Sequence, residues 1–262
     1  MKKNLLDVIF ASDKRKNVLL LLQDGPLEME FLLNSLHTSR QALLPQIRML
    51  EDHKLLCKNT GDVYELTVIG KLIVREMVPL LGLVDVLDKN IDYWGTHDLG
   101  FIPPHLLKRL NQLQPSTVIE PELSVIYEIN RDFKEKARES KSMTSFTTFL
   151  FPDYTSFLSE LKDLEVEMSL IITNELFQKI KKENYEFLRT FVTEGHGKLF
   201  LYSEDVHVVS FSQNDHCILF RLFYKDGNFD NKVLMVHGPK ALGWGKELFE
   251  HCKQNSMPVT DV

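Results

Sequence analysis

The sequence lacks a cysteine framework and a long uncharged run. Its three cysteines are unclustered and without C-x-x-C spacing, and its histidines show no H-x-x-x-H spacing, so we predict neither disulfides nor a metal site. Lys71, Arg75 and Glu76 break the most apolar stretch, and no transmembrane helix is predicted. Charges at 13–16 interrupt the N-terminal apolar run too early for a signal peptide. We therefore expect a cytoplasmic protein without membrane contact or cofactor.

Positive charge is also scarce. The formal net charge is −6, which argues against a generally basic surface that binds nucleic acid. Residues 1–71 contain ten Lys or Arg and nine Asp or Glu, whereas the rest of the chain contains 21 and 28. Any contact with DNA must therefore be local, and dimerisation would restore affinity by doubling the number of contacts.

The length and the hydrophobic content predict more than one domain. With 262 residues, of which 44% are hydrophobic, the chain can bury a sizeable core. We divide it into an N-terminal domain at 1–70, a helical connector at 71–117 and a C-terminal domain at 118–262. The connector is apolar on more than one side, which is typical either of an interdomain core helix or of a dimerisation surface.

Residues 38–56 predict a helix with a buried and an exposed side. Leu43, Ile47 and Leu50 recur at i, i+4 and i+7, which places them on one buried side. Thr38 is expected to cap the start of this helix. The polar residues lie mostly on other sides, where they can bond phosphates or base edges.

The segments around this helix predict a helix-turn-helix with a wing. A helix at 27–36 precedes it, joined by a turn at 37–38, and the extended runs 55–58 and 63–67 follow as a hairpin. The hairpin tip commonly lies along a phosphate backbone, and Lys58 is the residue of this tip best suited to bind a phosphate.

The N-terminal sequence resembles a known domain. The stretch GPLEMEFLLNSLHTSRQALLPQIRMLEDHKLL at 25–56 is followed by YELTVIGKLI at 64–73. This order of S-R-x6-I-R-x-L-E-x3-L-L and Y-x-L-T-x2-G-K resembles the winged helix-turn-helix of archaeal transcriptional regulators. One departure is Pro45, which lies well inside the helix and is expected to kink its axis.

The resemblance implies a contact between the third helix and double-stranded DNA. The first turn of this helix should reach base edges or adjacent phosphates in the major groove, and the wing should touch the backbone. The residues predicted to contact DNA are Ser39, Arg40, Gln41, Leu44, Gln46, Arg48 and Lys58. For Ser39, a role in starting the helix without a DNA contact is an equal alternative.

The second half of the chain predicts an α/β domain with a mixed sheet. Helical patterns at 123–140, 154–164, 176–192 and 238–255 alternate with extended runs at 144–151, 166–173, 198–202, 207–212, 217–224 and 233–236. The order of these elements places helices outside a mixed sheet. The predicted fold class is therefore a winged helix-turn-helix domain followed by a mixed-sheet α/β domain.

Two motifs in this half carry a second resemblance. The turn DGNFD at 226–230 and the closing WGKELFEHCKQNSMPV at 244–259 resemble the effector domain of the FilR-type methanogenesis-regulator family. That family joins a winged helix to a domain similar in fold to phospholipase D. The resemblance implies a cytoplasmic archaeal transcriptional regulator that forms a homodimer.

A phospholipase D-like fold invites a search for its catalytic motif H-x-K-x4-D. His196 and Lys198 match its start, but Ser203 occupies the position of the aspartate, and no complete copy of the motif occurs in the sequence. Because fold alone does not give function, we predict that the protein is not an enzyme. A degenerate phosphodiesterase-like domain remains an alternative.

Aromatic residues and one cation predict a small-molecule pocket at the edge of the second domain's sheet. The predicted ligand-binding residues are Phe151, Tyr154, His207, Phe211, Arg221 and Trp244. A cation inside a strand usually has an anionic partner, which Glu247 is expected to supply unless an anionic effector does. The alternative is that Phe211, Phe220 and Trp244 belong to the core.

These features together predict a ligand-responsive, DNA-binding transcriptional regulator. The alternative from another class is a winged helix used for protein contact, as a scaffold in the transcription machinery, and the nearly neutral N-terminal domain favours that alternative to some extent.

Overall fold

The computed structural model describes residues 4–193, 197–204 and 206–261. Contacts between residues divide the chain into two compact units, the N-terminal unit at 1–82 and the C-terminal unit at 83–262. The division into three segments at 1–70, 71–117 and 118–262 stays a prediction.

The N-terminal unit contains the predicted helix-turn-helix and hairpin. Its elements are α1 (Leu5–Phe10), α2 (Asp13–Leu21), α3 (Met29–Ser35), α4 (Arg40–Asp52), β1 (Leu56–Lys58), β2 (Tyr64–Leu66) and the first part of α5 (Val68–Lys89). Leu27 was predicted to be helical but instead exchanges two backbone hydrogen bonds with Tyr64, at 2.8 and 2.9 Å. Leu27 therefore forms a single β-bridge to the wing, and α3 begins only at Met29.

The core of the N-terminal unit confirms the predicted buried side of α4. Leu43, Ile47 and Leu50 are each 0% exposed. Burial of one such side chain contributes about 1.5 to 3 kcal/mol to folding. These residues pack in one cluster with apolar residues of the other helices and of the hairpin, so the position of α4 is fixed by its apolar side.

The Y-x-L-T-x2-G-K motif joins the hairpin to α5. The Thr67 hydroxyl donates to the Lys54 carbonyl at 2.6 Å and accepts from the Gly70 backbone N–H at 3.1 Å. The Thr67 backbone N–H donates to the Leu55 carbonyl at 3.1 Å. The start of α5 is thereby held against the backbone that leads into β1, with Gly70 at the point of closest approach.

The C-terminal unit has the predicted mixture of helices and strands. Its elements after α5 are α6 (Ile91–Thr96), α7 (Pro104–Leu107), β3 (Ser116–Ile119), α8 (Arg131–Arg138), β4 (Ser142–Thr147), α9 (Tyr154–Asp163), β5 (Glu167–Thr173), α10 (Asn174–Glu183), α11 (Tyr185–Thr193), β6 (Gly197–Tyr202), β7 (Ser210–Asn214), β8 (Cys217–Arg221), β9 (Val233–His237), α12 (Pro239–Gln254) and β10 (Ser256–Val259).

The strands form one mixed sheet, which confirms the predicted fold class. Its order is β10-β6-β5-β4-β7-β8-β9-β3, in which β4, β5 and β6 are parallel and the remaining neighbours are antiparallel. Helices α8 to α11 pack on one face of the sheet. Helix α12 and the segment 91–113 pack on the other face. Apolar side chains therefore cover both faces of this sheet.

Several predicted boundaries in this unit were wrong. The helix expected at 123–140 is a single 3₁₀ turn followed by α8, whose start is capped by the Asn130 side chain accepting from the Phe133 N–H. The helix expected at 176–192 is interrupted at Asn184, whose backbone is not helical. Strands β3 and β10 were missed, and both lie at edges of the sheet, where few contacts specify a short strand.

Candidate nucleic-acid interface and ligand cavity

The start of α4 is capped by Ser39 and not by Thr38 as predicted. The Ser39 hydroxyl accepts from the Ala42 N–H at 3.4 Å, whereas the Thr38 backbone N–H donates to the Leu33 carbonyl at 3.1 Å. His37, with φ of 45°, makes the left-handed turn between α3 and α4. Ser39 thus has a structural role that explains its identity without a DNA contact.

Three residues predicted to contact DNA form the exposed side of α4. Successive residues of a helix are rotated by about 100°, so Gln41 and Arg48 lie roughly opposite the buried stripe, whereas Arg40 lies in the first turn next to that stripe. The side chains of all three are exposed. Leu44, predicted in the same set, lies nearby but is partly buried and packs against the core of the N-terminal unit.

Gln46 lies on a different side of α4. Its Oε1 accepts from Nη1 of Arg15 at 2.6 Å. Arg15 itself is buried and also donates to the backbone carbonyls of Val8 and Asp7. Gln46 therefore supplies a hydrogen-bond acceptor to the buried guanidinium of Arg15.

Pro45 does not interrupt α4, which is continuous from Arg40 to Asp52. The expected bend of its axis stays a prediction. Because proline has no backbone N–H, the Gln41 carbonyl loses its usual intrahelical donor. This carbonyl lies in the exposed first turns of α4, and it can accept a hydrogen bond from a ligand or from water.

The wing carries a further cation, Lys58. Lys58 forms an ion pair with Asp62, and its ammonium lies 5.7 Å from the centre of the Tyr64 ring. The hydrogen bond with Asp62 raises the pKa of Lys58, whereas the nearby charge of Arg40 lowers it. Lys58 must exchange Asp62 for a phosphate before it can bind the DNA backbone.

The six residues predicted to form one ligand pocket lie in three places. Phe151, Tyr154 and Arg221 lie on the face of the sheet that α8 to α11 cover. Phe211 and Trp244 are core residues on the opposite face. His207 is 67% exposed and lies beside Asp98, with 3.9 Å between the ring Nδ1 and a carboxylate oxygen. These positions leave three of the six residues at one common site.

Arg221 is a buried cation without a carboxylate partner among the described residues. It is 2% exposed, and its guanidinium donates to the backbone carbonyls of Ile126 and Glu128. The guanidinium carbon also lies 4.5 Å from the centre of the Phe151 ring. Burial lowers the pKa of Arg221 to about 10, and the charge of Asp153 partly offsets this effect.

The expected ion pair between Arg221 and Glu247 was wrong. Glu247 lies on α12, across the sheet from Arg221, and accepts two hydrogen bonds from the Arg109 guanidinium, at 2.6 and 2.9 Å. The W-G-x-E-L-F-E motif has a structural role here, because the indole of Trp244 donates to the Leu106 carbonyl at 3.0 Å. Gly245 lies against the Gln213 side chain, where a Cβ atom would be 2.1 Å from its Oε1.

The D-G-N-F-D turn also has a structural role. Asp230 is 4% exposed and accepts a hydrogen bond from Nε2 of His97 at 2.8 Å. Nδ1 of His97 lies 2.6 Å from the Tyr93 carbonyl, and the His97 ring is stacked between Tyr93 and Tyr224. The sequence predicted no metal-binding role for the histidines, and it could not identify Asp230 as the partner of His97, because the two residues lie 133 positions apart.

A cavity of about 530 Å³ adjoins Arg221. Its apolar walls come from β3, β9 and the segment 121–129, and its charged lining comes from Glu122, Glu128, Arg131, Lys134 and Arg221.

Over the ranges that the structure describes, no group of three or more His, Cys, Asp or Glu side chains is placed so that it could hold a metal ion. Within the same ranges, no helix combines the length and the apolar character needed to cross a membrane. His196 of the partial H-x-K motif lies outside the described residues.

Two family models match the chain. The model described as the N-terminal domain of the methanogenesis regulatory protein FilR1 matches residues 3–85, and the model of its middle domain matches residues 126–255. The FilR1 protein of Methanothrix harundinacea (strain 6Ac) is 28% identical to this chain over 260 residues. The alignment covers 97% of this chain and 58% of that protein, so the chain spans little more than half of its relative's length.

Two solved structures show a weaker similarity. The archaeal chromatin protein TrmBL2, whose structure shows a novel mode of DNA binding, matches with a TM-score of 0.44 and 14% identity over 97% of both chains. The phosphatidylserine synthase of Haemophilus influenzae Rd KW20 matches with a TM-score of 0.40 and 12% identity, covering 49% of this chain and 36% of that one.

Proposed function

Because the chain belongs to the family of the methanogenesis regulatory protein FilR1, we propose that it regulates transcription by binding double-stranded DNA. The observation that carries this proposal is the exposed side of α4, where Arg40, Gln41 and Arg48 face solvent while the opposite side is fully buried. Such a helix, preceded by a turn and followed by a wing, fits the major groove of DNA.

The proposed contacts divide into those that read bases and those that bind the backbone. Arginine and glutamine can bond two atoms of a guanine or adenine edge, respectively, so Arg40, Gln41 and Arg48 are the proposed reading residues. Lys58 on the wing is proposed to bind phosphate. Ser39 is proposed only to cap α4, and Gln46 only to bind Arg15. Leu44 is proposed to make a van der Waals contact with a thymine methyl group.

The first prediction concerns sequence selection by these residues. The wild-type chain is used to select its preferred site from random duplex DNA, and affinities are then measured by fluorescence anisotropy at several salt concentrations. Arg40→Ala and Gln41→Ala are each expected to cost about 1 to 3 kcal/mol on the preferred site and to relax the preference at one base position. Lys58→Ala is expected to weaken all sequences equally and to reduce the salt slope by about one unit.

Two variants serve as controls for this experiment. Gln46→Ala is expected to lower the stability of the N-terminal unit, because it leaves buried Arg15 without its side-chain acceptor, and to leave the base preference unchanged. Lys182→Ala removes an exposed lysine of α10 and should leave both the affinity and the salt slope unchanged. If the Arg40, Gln41 and Lys58 variants all bind like the wild type, α4 and the wing are not the interface.

The protein is further proposed to act as a homodimer. The nearly neutral N-terminal unit supports this, because a second copy would double the few cationic contacts to DNA. Val68, Ile69, Leu72 and Leu80 of α5 are large apolar side chains that are each at least half exposed. An apolar helix surface of this kind is typical of association between copies.

The second prediction tests this surface by light scattering coupled to size exclusion. The wild type is expected to elute with the mass of a dimer, and Leu72→Asp is expected to elute as a monomer, because an aspartate would be buried without a partner. Lys71→Asp, at the neighbouring exposed position, places the same charge off this apolar surface and should leave the dimer intact. A monomeric wild type would contradict the dimer.

The alternative function is protein contact within the transcription machinery. The specific observation in its favour is the ion pair between Lys58 and Asp62, which neutralises the cation of the wing. The two functions differ in one measurement, since a protein-contact module would not select any sequence from random duplex DNA at low salt.

The C-terminal unit is proposed to sense a small molecule, which the cavity beside Arg221 supports.

A further inference from the structure

Arg221 is a basic residue of this cavity that forms no ion pair with a described carboxylate, although Asp153 acts on it from farther away and Glu122 and Glu128 also line the cavity. Among its basic residues, Lys134 pairs with Asp153 at 3.0 Å and Arg131 pairs with Glu135 at 2.9 Å. Among the described residues no carboxylate lies within ion-pair distance of Arg221, which is bonded to two neutral backbone carbonyls. Burying a charge costs free energy unless it is paired, so such a position is unusual without a ligand or a structural partner.

The guanidinium of Arg221 has unused hydrogen-bonding capacity. Arginine carries five N–H donors in a planar fork, and the hydrogen bonds to Ile126 and Glu128 use two of them. The Phe151 ring also contacts the guanidinium, whose carbon lies 4.5 Å from the ring centre. A planar anion that accepts two parallel N–H groups therefore matches the geometry, and a carboxylate is such an anion.

The other residues of the cavity indicate which chemical group the carboxylate of the ligand carries. Its walls include the apolar side chains of Ile119, Pro121, Val125, Ile129 and Val233. A volume of about 530 Å³ falls within the range of small-molecule sites. A ligand with one negative charge and an apolar body would fill this volume and neutralise Arg221.

We propose that the cavity between β9, α8 and the segment 121–131 binds a small monocarboxylate with an apolar body, with the carboxylate on Arg221 and the body against Ile119, Val125 and Val233. Because Arg221 also donates to the carbonyls of Ile126 and Glu128, a carboxylate on its remaining N–H groups would lie next to the segment 121–131. Only the consequence for DNA binding rests on the proposed function, since the site itself is defined by the C-terminal unit.

The site is tested by calorimetry on the full chain with acetate, hexanoate, octanoate and the neutral amides of the last two. Octanoate is expected to bind more tightly than hexanoate, and acetate not to bind, because the apolar body supplies burial. The amides are expected to bind at least about tenfold more weakly than the matching acids, because they lack the charge. Equal affinity of acids and amides, or no binding of any acid at millimolar concentration, would overturn the proposal.

Two variants locate the binding event. Val125→Trp fills the cavity from a partly exposed position and is expected to weaken octanoate binding at least about tenfold without loss of folding. Arg221→Met removes the charge and should weaken the acid but not the amide. If Arg221→Met fails to fold, Val125→Trp alone decides, and octanoate binding to this variant with unchanged affinity would place the acid elsewhere.

The same ligand separates this proposal from the proposed function. If octanoate binds and also changes the affinity for the selected DNA site, both stand. If octanoate binds but the chain selects no DNA, the site stands and the regulatory function falls. If the chain selects DNA and none of the acids binds, only the carboxylate site falls.

Discussion

The Gly70→Ala substitution is expected to remove most of the stability of the N-terminal unit. A Cβ atom at position 70 would lie 1.9 Å from the carbonyl oxygen of Leu55 and 2.9 Å from its carbonyl carbon. Both are backbone atoms, and the same carbonyl already accepts from the Thr67 N–H at 3.1 Å. The start of α5 would have to move away from Leu55, which breaks these bonds, so we expect a cost of about 3 kcal/mol or more.

Hydrogen exchange on the full chain measures this effect by segment. Peptides from residues 4–82 should lose protection in Gly70→Ala, and binding to DNA should be lost with them. Gly61→Ala is the matched control, because a Cβ atom there would only approach the Asn59 side chain, at 3.3 Å, and its φ is not left-handed. That variant should stay within about 0.5 kcal/mol of the wild type. Unchanged protection in Gly70→Ala would show that α5 can shift at little cost.

Loss of the buried partner of His97 should have a comparable effect on the C-terminal unit. Both nitrogens of His97 lie near acceptors, with Asp230 at 2.8 Å and the Tyr93 carbonyl at 2.6 Å, and the pair is almost inaccessible to water. Asp230→Ala leaves a buried polar ring without one of its partners and removes the acceptor that joins the D-G-N-F-D turn to His97. We expect a cost of about 3 to 5 kcal/mol.

Tryptophan fluorescence during denaturation follows this change, because Trp94 and Trp244 are the two tryptophans of the chain and both lie in the C-terminal unit. His207→Ala is the control, since His207 is 67% exposed and its pairing with Asp98 spans 3.9 Å. This variant should shift stability by no more than about 0.5 kcal/mol. In a double-mutant cycle, His97→Ala should cost less in the Asp230→Ala background than alone. Additive costs would mean that the two side chains are not coupled.

The sequence predicted the N-terminal unit well because its elements are specified locally. The period of Leu43, Ile47 and Leu50 defines both the helix and its buried side without knowledge of distant contacts. What it could not predict came from long-range pairing. The hydrogen bonds between Leu27 and Tyr64, and that between Arg15 and Gln46, join residues more than thirty positions apart. Gln46 was therefore predicted to be an exposed reading residue, although its position at the edge of the buried side was visible in the helical period.

The six residues of the predicted pocket do not lie together, because they face different sides of the sheet. Alternate residues of a strand face opposite sides of the sheet, and residues paired across strands share a side. In the structure Arg221 pairs with Ser210, whereas Phe211 pairs with Phe220. Arg221 and Phe211 therefore face opposite layers of the core. Parity within one strand can be read from sequence, but the register between β7 and β8 depends on tertiary pairing.

The order of strands in the large sheet has a consequence for the choice of fragments. The region matched by the middle-domain model, 126–255, ends immediately before β10 and begins after β3. Those two strands are the outermost strands of the sheet, against β6 and β9. A fragment cut at 126 and 255 would leave the backbone N–H and C=O groups of β6 and β9 unpaired, and such open edges join other chains. Recombinant expression of this unit should therefore span 83–262, which keeps both edge strands and the segment 91–113 that covers one face of the sheet, and the shorter fragment should aggregate even though it contains the whole matched region.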